Sequence, residues 1–216
     1  GDLIPGKFAG TNFANSLLVG HSTTGTLDAA SLNTGVGTTA LNALTSGDSN
    51  TGIGYDAAGA VSTGTGNTAV GSLAVSTTST GNYNTALGYL GLSAATGSYN
   101  TAVGGLAGYR NATGANNTSL GFSALEGVAS NNHSNNTAIG YRSNELVTTG
   151  ASNITIGANS GDNITSGDGN VIIGSIDAGS ATGDTQLIIA DGVDGSVKWI
   201  DGDSSGNVTM PAELAA

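Results

Sequence analysis

The chain has 216 residues, of which 37 are glycine, 9% are charged and 5% are aromatic. So few large side chains exclude an ordinary globular core, while a hydrophobic content of 38% argues against disorder. The net charge of −11, with only four Lys and Arg residues, disfavours nucleic acids and anionic membrane surfaces as partners. Cysteine is absent, so disulfides and thiolate-bound metals cannot stabilise the fold.

Residues 1–14 match no repeat. Their apolar side chains predict a cap over the first coil of a repeat domain, because the exposed edge of a sheet has to be covered. A linker from a longer fibre is the alternative. These apolar residues are Leu3, Ile4, Phe8 and Phe13. A first, imperfect copy of the repeat then runs from Ser16 to Gly20.

The pattern Asn-Thr-Ala-aliphatic-Gly recurs along the chain, as in Asn67 to Gly71 and Asn136 to Gly140. The distance between successive motif glycines is 17 residues, with one step of 16 and one of 19. A fixed period of this length indicates a stacked repeat protein. We therefore predict an all-β parallel β-roll or β-solenoid of about ten coils, spanning residues 15–190. The nine motif Asn residues are Asn33, Asn50, Asn67, Asn84, Asn100, Asn117, Asn136, Asn153 and Asn170.

The aliphatic residue before each motif glycine is expected to form a buried column, stacked at about 4.8 Å per coil. Representatives are Val70 before Gly71, Leu87 before Gly88, and Ile139 before Gly140. The motif Asn is expected either to cap the turn through backbone hydrogen bonds or to stack in a ladder with its equivalents.

Two further columns of small residues follow from the period. The residue three places after the motif glycine, such as Ala74, is expected in a second short strand, where it allows another backbone to approach closely. The glycine three places before the motif Asn, such as Gly64, is expected to supply a turn position with positive φ. A final copy of the repeat is expected at Leu187 to Ala190.

Residues 191–216 are expected to form a C-terminal cap or a joint to another domain. Val197 to Ile200 and Asn207 to Met210 have the composition of two strands, and a Gly/Asp/Ser turn separates them. The same turn matches the first half of an EF-hand loop, but Ala212 stands where that loop needs a glutamate. We expect a turn without metal, and no cofactor.

A catalytic site requires titratable groups that come together. The two histidines, His21 and His133, are far apart along the predicted axis, so we expect no enzyme. Val70 to Val75 resembles a hexad of hexapeptide-repeat acyltransferases, but those enzymes need three such hexads per coil. An ice-binding surface is also disfavoured, because no Thr-x-Thr pattern recurs.

The irregular copies supply candidate binding residues. The loop with Asn131, Asn132 and His133 contains the lengthened step and is expected to project from the scaffold, as binding loops often do. Arg110 and Arg142 lie one or two coils away and add positive charge.

An aromatic residue directly follows the motif glycine in four copies. These side chains are expected to pack between chains or to cover glycines, with stacking on sugar rings as the alternative. They are Tyr55, Tyr89, Phe122 and Tyr141.

Asn136 to Ser143 (Asn-Thr-Ala-Ile-Gly-Tyr-Arg-Ser) resembles the head repeat of trimeric autotransporter adhesins of the YadA-like type. Asn84 to Tyr89 and Asn50 to Tyr55 share the pattern, and the resemblance extends from Asn33 to Gly174. It implies a left-handed parallel β-roll, a homotrimer and a role in surface attachment. The coil is longer than is usual in that family, and no stalk or membrane anchor is recognisable.

The long Thr/Ser/Gly turns and the ending from Asp201 to Pro211 resemble tail-fibre and other fibrous virion proteins of bacteriophages. This resemblance implies a non-enzymatic fibre segment of a virion, with other fibre proteins and a host-surface glycan or protein as partners. A bacterial adhesin head on the cell surface is the alternative, and an acyltransferase is the remote one.

Overall fold

The computed structural model describes residues 6–10, 13–20, 28–78, 80–128 and 131–210. These segments contain fifteen strands and no helix, and therefore no helix of the length and apolarity needed to span a bilayer. The strands are β1 (Gly6–Gly10), β2 (Phe13–Val19), β3 (Ala30–Ser31), β4 (Thr34–Val36), β5 (Thr51–Ile53), β6 (Thr68–Val70), β7 (Thr85–Leu87), β8 (Thr101–Val103), β9 (Thr118–Leu120), β10 (Thr137–Ile139), β11 (Ile154–Ile156), β12 (Val171–Ile173), β13 (Leu187–Ala190), β14 (Lys198–Gly202) and β15 (Val208–Thr209).

The predicted parallel β-solenoid of about ten coils is confirmed. Strand β2 pairs in parallel with β4, and each strand from β4 to β12 pairs in parallel with the next. Equivalent residues of successive coils lie side by side; Thr68, for example, pairs with Thr85. Both the imperfect first copy at Ser16 and the last copy at Leu187 belong to this sheet.

Antiparallel strands cover both ends of the solenoid. At the N-terminal end, β1 pairs with β2, and Phe8 lies opposite Leu17 in the register of the two strands. At the C-terminal end, β14 pairs with β13, and β15 pairs with β14 to complete the expected hairpin. Leu3, Ile4 and the last six residues lie outside the described part of the chain. Reversed strands of this kind interrupt the parallel edge to which a further coil could add.

The motif Asn residues form a continuous buried ladder along the solenoid, so both expected roles of this residue are found together. From Asn50 onward, the backbone N–H of each motif Asn donates to the side-chain Oδ1 of the preceding motif Asn, at 2.8–3.0 Å. Every motif Asn also donates from Nδ2 to a carbonyl of the return turn in the next coil, at 2.8–3.0 Å.

Different polar residues end the ladder on each side. Ser16 Oγ accepts from the backbone N–H of Asn33 at 2.8 Å. Gln186 donates its backbone N–H to Asn170 Oδ1 at 2.8 Å and its Nε2 to the same atom at 3.1 Å. The terminal backbone and side-chain groups of the ladder are therefore paired, as buried polar groups need to be.

The aliphatic column faces outward, so the prediction that it is buried was wrong. Leu120 is 45% exposed and Ile156 is 37% exposed, whereas Ala102 and Ala138 in the middle of their strands are fully buried. Alternation along a strand sends the first and third residues to one side and the second to the other. Asn shares its side with the middle residue, and the buried Asn ladder therefore turns Thr and the aliphatic residue toward solvent.

The expected second strand is absent from the described coils. The return path consists of turns in which positive φ occurs at alternate residues, such as Leu73 (+60°) and Val75 (+52°). Leu73 N–H donates to Tyr55 in the preceding coil, and Val75 N–H donates to Gly91 in the following coil, at 2.8 and 2.9 Å. The alternation of positive and negative φ thus lets the return path form hydrogen bonds to both the preceding and the following coil without forming a sheet.

Glycine serves two different purposes in each coil. The motif glycine Gly71 has φ of +132°, a conformation that L-residues rarely adopt. The return-turn glycine Gly150 does not have positive φ, which corrects the prediction for that column. A Cβ on Gly150 would instead lie 2.6 Å from the carbonyl oxygen of Gly167 in the next coil. Close stacking, rather than turn conformation, requires glycine there.

We predict that Asn100→Asp destabilises the chain by about 3–5 kcal/mol, because it buries an unpaired charge. The new oxygen would replace Nδ2, which donates to Asn84 Oδ1 at 3.2 Å and to the carbonyl of Gly114 at 3.0 Å. Two hydrogen bonds would become contacts between acceptors. The free energy of unfolding in urea, followed by circular dichroism, measures the effect.

Asn116→Asp is the matched control, because Asn116 has the same chemistry but is exposed one coil further on. We expect its free energy of unfolding to stay within about 0.5 kcal/mol of the unmutated chain. Equal stability of Asn100→Asp and Asn116→Asp would contradict a buried ladder.

Candidate functional site

The outward side of the parallel sheet, which we call the outer face, is a continuous strip of Thr and aliphatic side chains. It comprises the first and third residues of β4 to β12, with Leu187 and Ile189 of β13. At about 4.8 Å per coil and 3.3 Å per residue, the strip measures about 48 by 10 Å. Its third-position residues are Val36, Ile53, Val70, Leu87, Val103, Leu120, Ile139, Ile156 and Ile173.

Aromatic side chains line the corner that follows the outer face. Tyr55, Tyr89, Phe122 and Tyr141 are each at least half exposed. Phe122 and Tyr141 stack with ring centroids 6.0 Å apart, and a Cβ on Gly105 would lie 3.3 Å from the Phe122 ring. Phe122 therefore covers a glycine of the preceding coil, which is the packing role expected for one member of this column.

Two of the predicted binding residues lie inside the solenoid rather than on a projecting loop. His133 is fully buried and Asn131 is 3% exposed. His133 occupies the return-turn position that is glycine in the neighbouring coils, and its carbonyl accepts from Asn117 Nδ2 at 2.9 Å. The Asn131 carbonyl accepts from the N–H of Ala112, 19 residues earlier, whereas the equivalent bond from Thr148 to Thr165 spans 17 residues, so the two additional residues of this coil precede Asn131. The bond from Asn117 holds the His133 backbone in the return turn, and the His133 side chain is buried inside the coil.

Burial lowers the pKa of His133 to about 4. Its Nδ1 lies 3.5 Å from Asn117 Oδ1, and no group among the described residues pairs with Nε2. The imidazole is therefore neutral at physiological pH and is shielded from a ligand in solution.

The other predicted binding residues are at least partly exposed, and each is already paired with a neighbouring side chain. Asn132 accepts a hydrogen bond from Thr113 Oγ1 at 2.8 Å. Arg110 donates to Glu126 at 2.7 Å, and Arg142 donates from Nε to Glu145 at 2.7 Å. The guanidinium of Arg110 also lies 5.1 Å from the ring centroid of Tyr109. Neighbouring carboxylates therefore neutralise both arginines, so the positive patch expected from the sequence does not form.

Carboxylates line an open cleft of about 480 Å³ near the C-terminal end of the solenoid. Burial, followed by a hydrogen bond with Asp177 and the charge of that residue, raises the pKa of Asp162 to about 6. Asp194 also lines the cleft. Within the described ranges, no group of three or more His, Cys, Asp or Glu residues is placed to hold a metal ion.

The acidic turns after the last coil use their carboxylates to fix the backbone. Asp203 accepts from the N–H groups of Ser205 and Asn207 and from Asn207 Nδ2, and these bonds lower its pKa. Asp191 likewise accepts four backbone N–H groups, that of Val197 foremost, which lower its pKa to about 2. Both carboxylates act as turn caps.

Sequence reasoning did not identify an exposed pair of tyrosines, Tyr83 and Tyr99. Each directly precedes a motif Asn, at Asn84 and Asn100, in adjacent coils. The repeated Tyr-Asn dipeptide is visible in the sequence. The residue before the motif Asn differs from coil to coil, however, so the period does not indicate whether this position is exposed.

No protein-family model, no curated protein and no solved structure matches this chain.

We predict that acid destabilises the chain through His133. The folded-state pKa of about 4 lies below the unfolded value of 6.5, so the unfolded chain binds the proton first as the pH falls. The stabilising contribution of neutral His133 is complete above pH 6.5 and is lost progressively toward pH 4. At pH 4.5 the loss should be about 2–3 kcal/mol relative to pH 7.5.

His133→Gln, which cannot titrate, serves as the comparison in urea unfolding at both pH values. The raised pKa of Asp162 acts with the opposite sign, because protonation relieves its burial, but it is present in both proteins and cancels. Parallel pH profiles of the two proteins would contradict this account. So would an imidazole NMR signal of folded His133 that titrates near pH 6.5.

Proposed function

We propose that this chain is a non-enzymatic segment of a virion fibre that takes part in host attachment. The outer face is the observation that supports this role most strongly. A solenoid about 48 Å long presents a strip of Thr and aliphatic side chains along its whole length, as an elongated assembly would require.

The outer face is proposed to pack against further copies of the same chain. Its area, with the Thr column included, is about 500 Å², which is less than the roughly 800 Å² that each partner buries in a stable interface. The flanking aromatic corner is therefore proposed to contribute to the contact. The column of small residues that includes Ala74 and Ala107 is buried inside the coil, so it does not provide this contact.

The proposed assembly is a homotrimer. Closed, symmetric oligomers are the usual solution for a repeated self-complementary surface. The number three follows from the resemblance of the Asn-Thr-Ala-aliphatic-Gly copies to trimeric adhesin heads. Other fibre proteins are the proposed neighbours at the two ends.

Multi-angle light scattering is predicted to give three times the 20.8 kDa of the chain. Val103→Asp should dissociate the assembly, because it places a charge in the outer face. Ala102→Asp provides the contrast, since it places the same charge inside the coil and should prevent folding. A folded monomer at micromolar concentration, or a trimer unaffected by Val103→Asp, would contradict the proposal.

Antibodies raised against the folded chain are predicted to label fibres on intact phage particles in immunogold electron microscopy. Their Fab fragments should also reduce adsorption of the particles to host cells. Labelling of the surface of uninfected bacteria would favour a bacterial adhesin head and contradict the virion assignment. Labelled fibres without an effect of Fab would leave a spacer and remove the attachment role.

A further inference from the structure

We infer that Tyr83 and Tyr99 form a docking platform for a neutral glycan. The inference rests on the proposed attachment role and adds the chemical class of the receptor. Both residues lie at the turn immediately before the strand, in adjacent coils, and their side chains are 55% and 59% exposed. Neither belongs to the hydrophobic core.

The two rings form an ordered stack on the surface. Their centroids are 5.5 Å apart and their planes differ by 14°. The spacing is close to one coil step, so the solenoid itself sets it. A Cβ on Gly66 would lie 2.6 Å from the Tyr83 ring, which therefore rests against the backbone of the preceding coil. Contact with the Gly66 backbone and stacking of the two rings hold them in a fixed orientation, while more than half of each residue remains accessible.

Backbone conformation argues that the fold does not require tyrosine at either position. Tyr83 has φ of +55° and Tyr99 has φ of +62°, in the left-handed region that bulky residues rarely occupy. Elsewhere in this column, the same conformation is taken by residues of several types, such as Leu32, Ser49, Gly66 and Ser152. Since the turn does not require an aromatic residue, two adjacent exposed tyrosines point to recognition rather than to folding.

The column continues from the tyrosines into two exposed amides. Asn116 lies one coil after Tyr99, and its Nδ2 donates to Asn135 Oδ1 at 3.2 Å. Each amide offers further donors and acceptors toward solvent. A pyranose ring has an apolar face of C–H groups and a rim of hydroxyls, so aromatic rings beside amides match its chemistry.

Charge restricts the glycan to a neutral one. The chain has a net charge of −11, and the described Lys and Arg side chains are all in ion pairs: Arg110 with Glu126, Arg142 with Glu145, and Lys198 with Asp201. Stacking on single-stranded nucleic acid needs a positively charged groove as well as aromatic rings. The platform provides only the rings, and sulfated or sialylated sugars would be repelled.

The test uses the full chain on an array of immobilised neutral oligosaccharides of glucose, galactose and N-acetylhexosamines, with sialylated and sulfated members included. Tyr83→Asn combined with Tyr99→Asn removes the platform and leaves residues that Asn116 and Asn135 show to be compatible with this turn. Leu32→Asn is the control, because Leu32 is another large exposed residue of the same column with the same positive φ, three coils before Tyr83.

We expect the unmutated chain and Leu32→Asn to bind neutral members, and the double variant to bind at least about tenfold more weakly at unchanged oligomeric mass. Absence of binding to every neutral member, preference for the acidic members, or equal binding by the double variant would overturn the inference. A changed oligomeric mass of the double variant would also overturn it, because the pair would then be a contact between copies. Labelled fibres and Fab inhibition combined with no glycan binding would overturn the platform alone and leave the attachment role in place.

Discussion

The buried Asn ladder is the interaction on which the rest of the structure depends. Each rung joins three parts of the molecule: its own strand, the preceding Asn side chain and the return turn of the next coil. A single amide has the donors and the acceptor needed for all three bonds. Aspartate has no side-chain donor, and serine and glutamine occupy only the two ends of the ladder, at Ser16 and Gln186.

The ladder also determines which side chains of the strands are exposed to solvent. Because Asn must face inward, the middle residue of each three-residue strand faces inward too, and only small side chains fit there in most coils. Gly52 illustrates the limit, since a Cβ on it would lie 2.7 Å from the carbonyl oxygen of Ala57. The larger aliphatic residues of most of these strands are left on the outside, whereas large residues of the return path, such as Leu41 and Leu92, are buried. The small inner residues and the aliphatic outer face of these strands therefore have one common origin, on which the proposed assembly depends.

The period of the sequence predicted the fold class, the number of coils and the positions of the motif strands, because a repeat confines each residue type to one column. The second strand expected in each coil was a wrong prediction. The period could not predict which side of the strand is buried. Val103 is more hydrophobic than Ala102, so hydrophobicity alone favours the wrong side, and only the hydrogen-bonding requirement of Asn100 reverses the choice. His133 shows the same limit. An irregular copy resembles a loop in sequence, yet the ladder bond from Asn117 to the His133 carbonyl holds it in the coil.

The candidate surfaces were less accessible to sequence reasoning than the fold. Arg110 suggested free positive charge because its partner, Glu126, is sixteen residues away along the chain, whereas Glu145 is only three residues after Arg142 and is visible in the sequence. Only the stacking of coils brings Glu126 beside Arg110. Tyr83 and Tyr99 were overlooked for a related reason, since their pairing exists between coils and not along the chain.

Native-state hydrogen exchange, followed by NMR, tests the central claim most directly. The backbone N–H and side-chain NH₂ groups of Asn67, Asn84 and Asn100 should be protected together, with opening free energies near that of global unfolding. The side-chain NH₂ of exposed Asn116 should exchange without such protection. Side-chain NH₂ groups of the motif Asn residues that exchange as fast as that of Asn116 would contradict the ladder, and with it the assignment of the outer face.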